Sequence, residues 1–176
     1  MDTYRATRPG SDEYAPFYAG YVAGVPDGDV LATLAHTGAG ASDLVANVSE
    51  ETAERAYAAG KWTLKEVVQH CSDAERIFAY RALRIGRGDA TDLPGWDEQA
   101  YAPASRANAR SLQSLVEELR TARAGTISLL DGLPSDAWTL RGRANGMEVS
   151  VRGIAWITAG HLMHHLRIVQ ERYLNG

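Results

Sequence analysis

Cysteine is almost missing from this chain: Cys71 stands alone. One thiol excludes an internal disulfide and any metal site built from cysteine thiolates, so a metal would have to rest on histidine and carboxylate. Long apolar runs are missing too, and none approaches the roughly 18 residues that cross a bilayer. The N-terminus, Met1-Asp-Thr-Tyr-Arg-Ala-Thr-Arg-Pro9, has no apolar signal core, so the expectation is a cytoplasmic protein with no membrane partner. There is no basic excess. The net charge of −4 speaks against a nucleic-acid partner. G-x-S-x-G, Walker A, G-x-G-x-x-G and H-E-x-x-H are all absent, which leaves serine hydrolase, nucleotide-binding and zincin chemistry without a foothold. Internal repeats, low-complexity tracts and sustained period-two alternation are absent as well, and no sheet is expected.

What is present is helical periodicity. At 176 residues, 45% hydrophobic and 23% charged, the chain is expected to fold as one domain over 1–176 with its own core. Residues 1 to about 26 are punctuated by Pro9, Gly10, Pro16, Gly20, Gly24 and Pro26 and read as irregular. Tyr14, Phe17, Tyr18 and Tyr21 predict that this segment packs down on the domain. Asp27 or Asp29 caps a first helix to roughly Val48, and Ser49 opens a short one to about Ala58. Thr63 and Glu66 form a capping box for a long second helix that ends at Gly86 and Gly88. The following loop, 89–104, is long for a bundle connection and is a candidate lining for a site. Ser105 is expected to cap a third helix running to Asp131. Residues 135–149 read as a polar connection, and Ser150 caps a fourth helix. Four amphipathic helices with unequal connections predict an all-α four-helix bundle.

Four of the five histidines fall on two of these helices. His161 and His165 are four residues apart, about 40° around the axis, one turn above the other. They continue the stripe of Ile154, Thr158 and Ile168 that should face a core. His164 is three residues from His161 and can face the same space, but the stripe favours His165. His70 sits on the inward side of the second helix between Val67 and Ala74. His70, His161 and His165 would make a three-nitrogen set that leaves a position for water, the mark of a reactive rather than a closed site. Neutral imidazole suits zinc, nickel, copper or iron(II). The plain alternative is a set of satisfied core histidines. His36 lacks a histidine partner and reads as surface or packing. Cys71 belongs to an apolar stripe and reads as core. Asp73, one turn past His70, is either a solvated charge or the group that orients the ligand imidazole.

The run Gly60-Lys-Trp62-Thr-Leu-Lys-Glu66-Val-Val-Gln-His70-Cys-Ser-Asp73-Ala-Glu75-Arg76 through Arg87-Gly-Asp89 resembles the DinB/YfiT-like superfamily of bacterial four-helix proteins. So do Leu93-Pro-Gly-Trp96-Asp97-Glu98, Ala159-Gly-His161-Leu-Met-His164-His165 and Glu171-Arg172-Tyr173-Leu174. The resemblance covers nearly the whole chain. It implies an up-down-down-up bundle and a divalent metal, zinc or nickel, on three histidines that map to His70, His161 and His165. It also implies a homodimer. Relatives include thiol S-transferases that use bacillithiol or mycothiol, a mycothiol-dependent maleylpyruvate isomerase, and proteins described as metal-dependent hydrolases. The leading expectation is therefore a metal-dependent thiol S-transferase acting on a small thiol and an electrophile, with Trp96, Tyr101 and Arg76 or Arg81 as pocket candidates. A hydrolase and a non-catalytic metal-binding stress-response protein are the alternatives.

Overall fold

The computed structural model describes residues 3–175. Met1, Asp2 and Gly176, which fall in the expected N-terminal segment and domain, lie outside it. The described residues form helices α1 (Thr3–Ala6), α2 (Ala19–Gly24), α3 (Val30–Val45), α4 (Glu50–Ala53), α5 (Leu64–Gly86), α6 (Glu98–Ala104), α7 (Leu112–Asp131) and α8 (Val151–Ile168). One hairpin, β1 (Arg141–Ala144) and β2 (Met147–Ser150), precedes α8. No helix among these residues is long and apolar enough to cross a membrane.

The long helices α3, α5, α7 and α8 make the bundle. Side-chain pairings give their directions. On α5 and α7, Gln69 meets Glu118, Glu75 meets Arg123, and Gly86 approaches Leu133. Both sets of numbers rise together, so α5 and α7 run parallel. On α5 and α8, His70 meets His161 and Gly142, just before α8, approaches Ile85, so those two run antiparallel. Arg123 of α7 reaches back to Leu34 and Thr37 of α3, while Val45 packs in the cluster of Leu112 and Leu115. The order is up, down, down, up. Parallel neighbours need a return crossover along the bundle. α5 has 23 residues and is about 35 Å long, so the connection at 87–111 must travel that distance. This is the physical reason for the long loop seen in the sequence, and it carries Trp96 back over the histidines.

Several local expectations need correction. Residues 141–150 form a β-hairpin, not a polar coil. Its turn, Asn145-Gly146, takes φ of 54° and 73°, the left-handed pair that two-residue hairpins favour. Its strands have four residues each, too short to show alternation. The third helix starts at Leu112 with Ser111 as its cap, not at Ser105. Pro103 sits in the last turn of α6, and Arg106 turns left-handed at φ 53°. α6 itself lies inside the expected loop. Asp29, not Asp27, caps α3, which stops at Val45, and the short helix after Ser49 ends at Ala53. The Thr63–Glu66 capping box and the Ser150 cap form as expected.

The N-terminal segment holds α1, a 3-10 turn at Pro16–Tyr18 and α2. It has a defined position because α8 is buried almost all round from Val151 to Leu162, and such a helix needs cover on every side. Gly153 and Gly160, seven residues apart, lie on one face of α8. A Cβ on Gly153 would stand 2.5 Å from the Glu13 carbonyl oxygen, and one on Gly160 would stand 2.1 Å from that of Tyr21. These two glycines form the groove in which the segment lies. Glu13 locks it: its carboxylate accepts from the Ser150 hydroxyl at 2.7 Å and the Gly10 amide at 2.8 Å, and pairs with Arg152.

The candidate metal centre

α8 presents His161 and His165 one turn apart, and antiparallel α5 presents His70 opposite them. His70 Nε2 and His161 Nε2 are 3.1 Å apart. One ligand nitrogen from each of the three rings falls within 4.8 Å of the others. His164 is outside this group. It is half-buried against Tyr21, with ring centroids 5.2 Å apart. His36 is exposed on α3.

Burial keeps the three rings neutral. It lowers His70 to about 4 and His165 to about 3. For His165 the neighbouring histidines add to the effect. His161 is pushed well below the ordinary range by burial first, then by His165, His70, His164 and the Arg123 guanidinium. A neutral imidazole keeps a lone pair free for a cation, whereas an imidazolium does not. Converging lone pairs with an Nε2 pair in near contact suit a divalent ion, and the donor chemistry fits one.

Of the two roles open to Asp73, orienting His70 is not the one it plays. Asp73 accepts from Gln69 at 3.0 Å and does not reach His70. His70 Nδ1 is buried with no hydrogen-bond partner. Its ring packs instead against Trp62, with centroids 4.8 Å apart, and stacks on Trp96 at 5.5 Å with 13° between planes. His161 is held edge-on by Tyr21 at 5.5 Å and Phe78 at 5.7 Å. Packing of aromatic rings does the positioning here that hydrogen bonds do in many metal sites.

A cavity of about 310 Å³ opens beside the three histidines, walled by Tyr18, Tyr21, Trp62, Phe78 and Trp96. A second, of about 190 Å³, is lined by Tyr57, Ile168 and Tyr173. Both are lined by Trp62, Gln99 and His165. Of the pocket residues expected from sequence, Trp96 and Arg81 line the first cavity. Tyr101 packs on Trp96 at 5.1 Å but lines a different surface hollow with Asp73 and Arg110. Arg76 is exposed and pairs with Glu118 at 2.7 Å. Cys71 is buried in the apolar cluster of Val67, Leu115 and Leu162, and burial pushes its thiol up, so it supplies no nucleophile to the cavity. Reading from sequence missed Tyr18, Tyr21, Trp62, Phe78 and Asn145 as lining residues, whereas Trp96, Glu98 and Gln99 come from the 89–104 loop expected to line a site. The N-terminal aromatics carried a packing signal without a destination. Asn145 was hidden with the hairpin.

Comparison with curated proteins returns no match. Among solved structures, YfiT from Bacillus subtilis, described as a probable metal-dependent hydrolase with an unusual four-helix bundle topology, aligns with a TM-score of 0.73. The alignment covers 83% of this chain and 85% of that one at 16% identity, a likeness of fold. The family model of the DinB superfamily matches residues 33–169, which takes in all four bundle helices from α3 to α8 apart from the first turn of α3, and all three converging histidines. The chain belongs to the DinB superfamily.

Proposed function

We propose that His70, His161 and His165 hold a divalent metal, zinc or nickel, and that the chain is a metal-dependent thiol S-transferase. The observation that carries the transferase reading is the pair of cavities that meet at His165 and Trp62. Transfer of a thiol to an electrophile needs room for two organic molecules at one centre, whereas hydrolysis needs room for one. When bound, a divalent ion supplies a charge that lowers the pKa of a sulfur or water beside it. The chain's own residues do the rest. His70, His161 and His165 offer neutral nitrogens. Trp62 and Trp96 hold the His70 ring, and the aromatic walls exclude water from the reacting groups. The reaction forms a carbon–sulfur bond, the leaving group departs with the bonding pair, and the thiol proton passes to solvent. Cys71 takes no part.

The test is metal analysis of untagged protein, followed by turnover of a chlorodinitrobenzene electrophile with bacillithiol or mycothiol. The expected result is about one ion per chain and a thiol-dependent rate that falls at least about 100-fold in His161→Ala, since loss of a ligand costs more than the 10–100-fold of losing a supporting group. Equal rates in the two proteins would sink the proposal. A second reading, a hydrolase, is favoured by the exposed Glu98 carboxylate at the same cavity and by the description of YfiT. Ester or amide cleavage with no added thiol would select it.

A further inference from the structure

Buried cations in this fold are matched by carboxylates, with one exception. Lys65 is held by Glu50 at 2.7 Å and Glu54 at 2.8 Å, and Arg123 by Glu75 at 2.9 Å. Arg81 is only 4% exposed, and no carboxylate among the described residues pairs with it. Its Nη2 donates to the Pro94 carbonyl at 2.8 Å, and the guanidinium lies beside the Tyr18 hydroxyl. A guanidinium has five N–H donors, so most remain for another acceptor. A buried charge left without a counter-charge is costly, and a fold retains one where something else supplies the anion.

Arg81 lines the same cavity as the three histidines. On α5 it lies 11 residues past His70, within about 20° of the same face and about 16 Å further along the axis. Its partner Pro94 is two residues from Trp96, which stacks on His70. Aromatic rings of Tyr18, Phe78 and Trp96 fill the wall between. Phe17, 62% exposed, stands at the rim. Glu98 faces the same space, which disfavours a doubly charged phosphate and leaves a single negative charge as the match.

We propose that Arg81 is the anion-binding residue of this cavity, and that the ligand is a monocarboxylate whose acid group docks on the guanidinium while its apolar body spans the aromatic wall toward the histidines. The inference deepens the proposed function and rests on it only for what happens at the histidine end. A carboxylate on a buried arginine makes a bidentate, charge-assisted pair worth about 1.5–3 kcal/mol, about tenfold or more in affinity.

The test is calorimetric titration of the full chain, metal-free and metal-loaded, with 4-phenylbutanoate and with its uncharged primary amide. The acid is expected to bind at least about tenfold tighter than the amide in both forms. In Arg81→Gln that preference should vanish while amide affinity stays within about twofold. Equal binding of acid and amide, no detectable binding of the acid, or a preference that survives in Arg81→Gln would overturn the inference. A preference seen only with metal loaded would also overturn it, because the acid would then sit on the ion. Should Arg81→Gln fail to fold, Arg81→Lys keeps the charge and loses the planar fork, and an undiminished preference there counts against Arg81. Failure of the metal reading shows separately, as an absence of bound ion with the acid preference intact.

Discussion

At the scale of single residues, the histidines are held in one protonation state by what surrounds them. Folded His70 and His165 take protons only near about 4 and about 3, whereas an unfolded histidine titrates near 6.5. Between those values the unfolded chain binds more protons than the folded one, so stability rises with pH across that window and is lost on acidification. The metal-free chain should therefore lose urea resistance steadily from about pH 6.5 down to about pH 4, with His70→Phe flattening part of the slope. Midpoints of urea unfolding followed through that range check this. A flat profile would mean that the rings are hydrated. Acid also competes directly with any cation for the same nitrogens, so metal should be released at the acid end of the same window, where the folded rings take up protons.

Among elements, the informative contact is between α8 and the N-terminal segment. Gly153 and Gly160 each let a backbone carbonyl come closer than any side chain would allow. The consequence reaches the site, because Tyr21 sits both on Gly160 and against the His161 ring. Gly160→Ala should push α2 outward, cost about 1–3 kcal/mol by overpacking, and loosen His161. The readout is a lowered unfolding midpoint together with weaker metal retention in a chelator competition. An effect on stability with no effect on metal would separate the strap from the site.

Over the whole molecule, two apolar clusters are separated by a polar layer. One gathers Leu34, Phe78, Ile85 and Trp156, and the other Val45, Leu64, Leu115 and Leu162. Between them lie Thr37, Glu75, Arg123, Thr158, His70 and His161, all buried. Arg123 anchors the layer, donating to the Leu34 carbonyl and Thr37 hydroxyl at 3.0 Å and to Glu75 at 2.9 Å. Gly38 leaves space for its side chain. Arg123→Met would strand a buried carboxylate and should cost about 3–5 kcal/mol, while Glu75→Leu combined with Arg123→Met should recover much of that loss. Urea unfolding of the two variants measures it.

Much of this was legible before any coordinates. The HxxxH pair lay on a core-facing stripe with a third histidine on another inward face, because a period of 3.6 residues converts spacing directly into direction. The Thr63 and Ser150 caps could be read because the groups that satisfy a helix end are local in sequence. The hairpin escaped because its strands are too short for a pattern, although Asn145-Gly146 was its signal. Asp73 was placed one turn from His70 by the same spacing rule, but Gln69 won it, a competition between side chains that spacing does not rank.

Periodicity and capping alone settled the four long bundle helices and the inward stripe that carries the histidines, since both depend on neighbours within a few residues. What only the tertiary structure decided was the parallel pairing of α5 with α7, the return of Trp96 over His70, and the seating of Tyr21 on Gly160. Those depend on residues tens of positions apart coming together, and the free energy of such contacts is set by packing and by the burial of unpaired charge, neither of which is written in any local stretch of the chain.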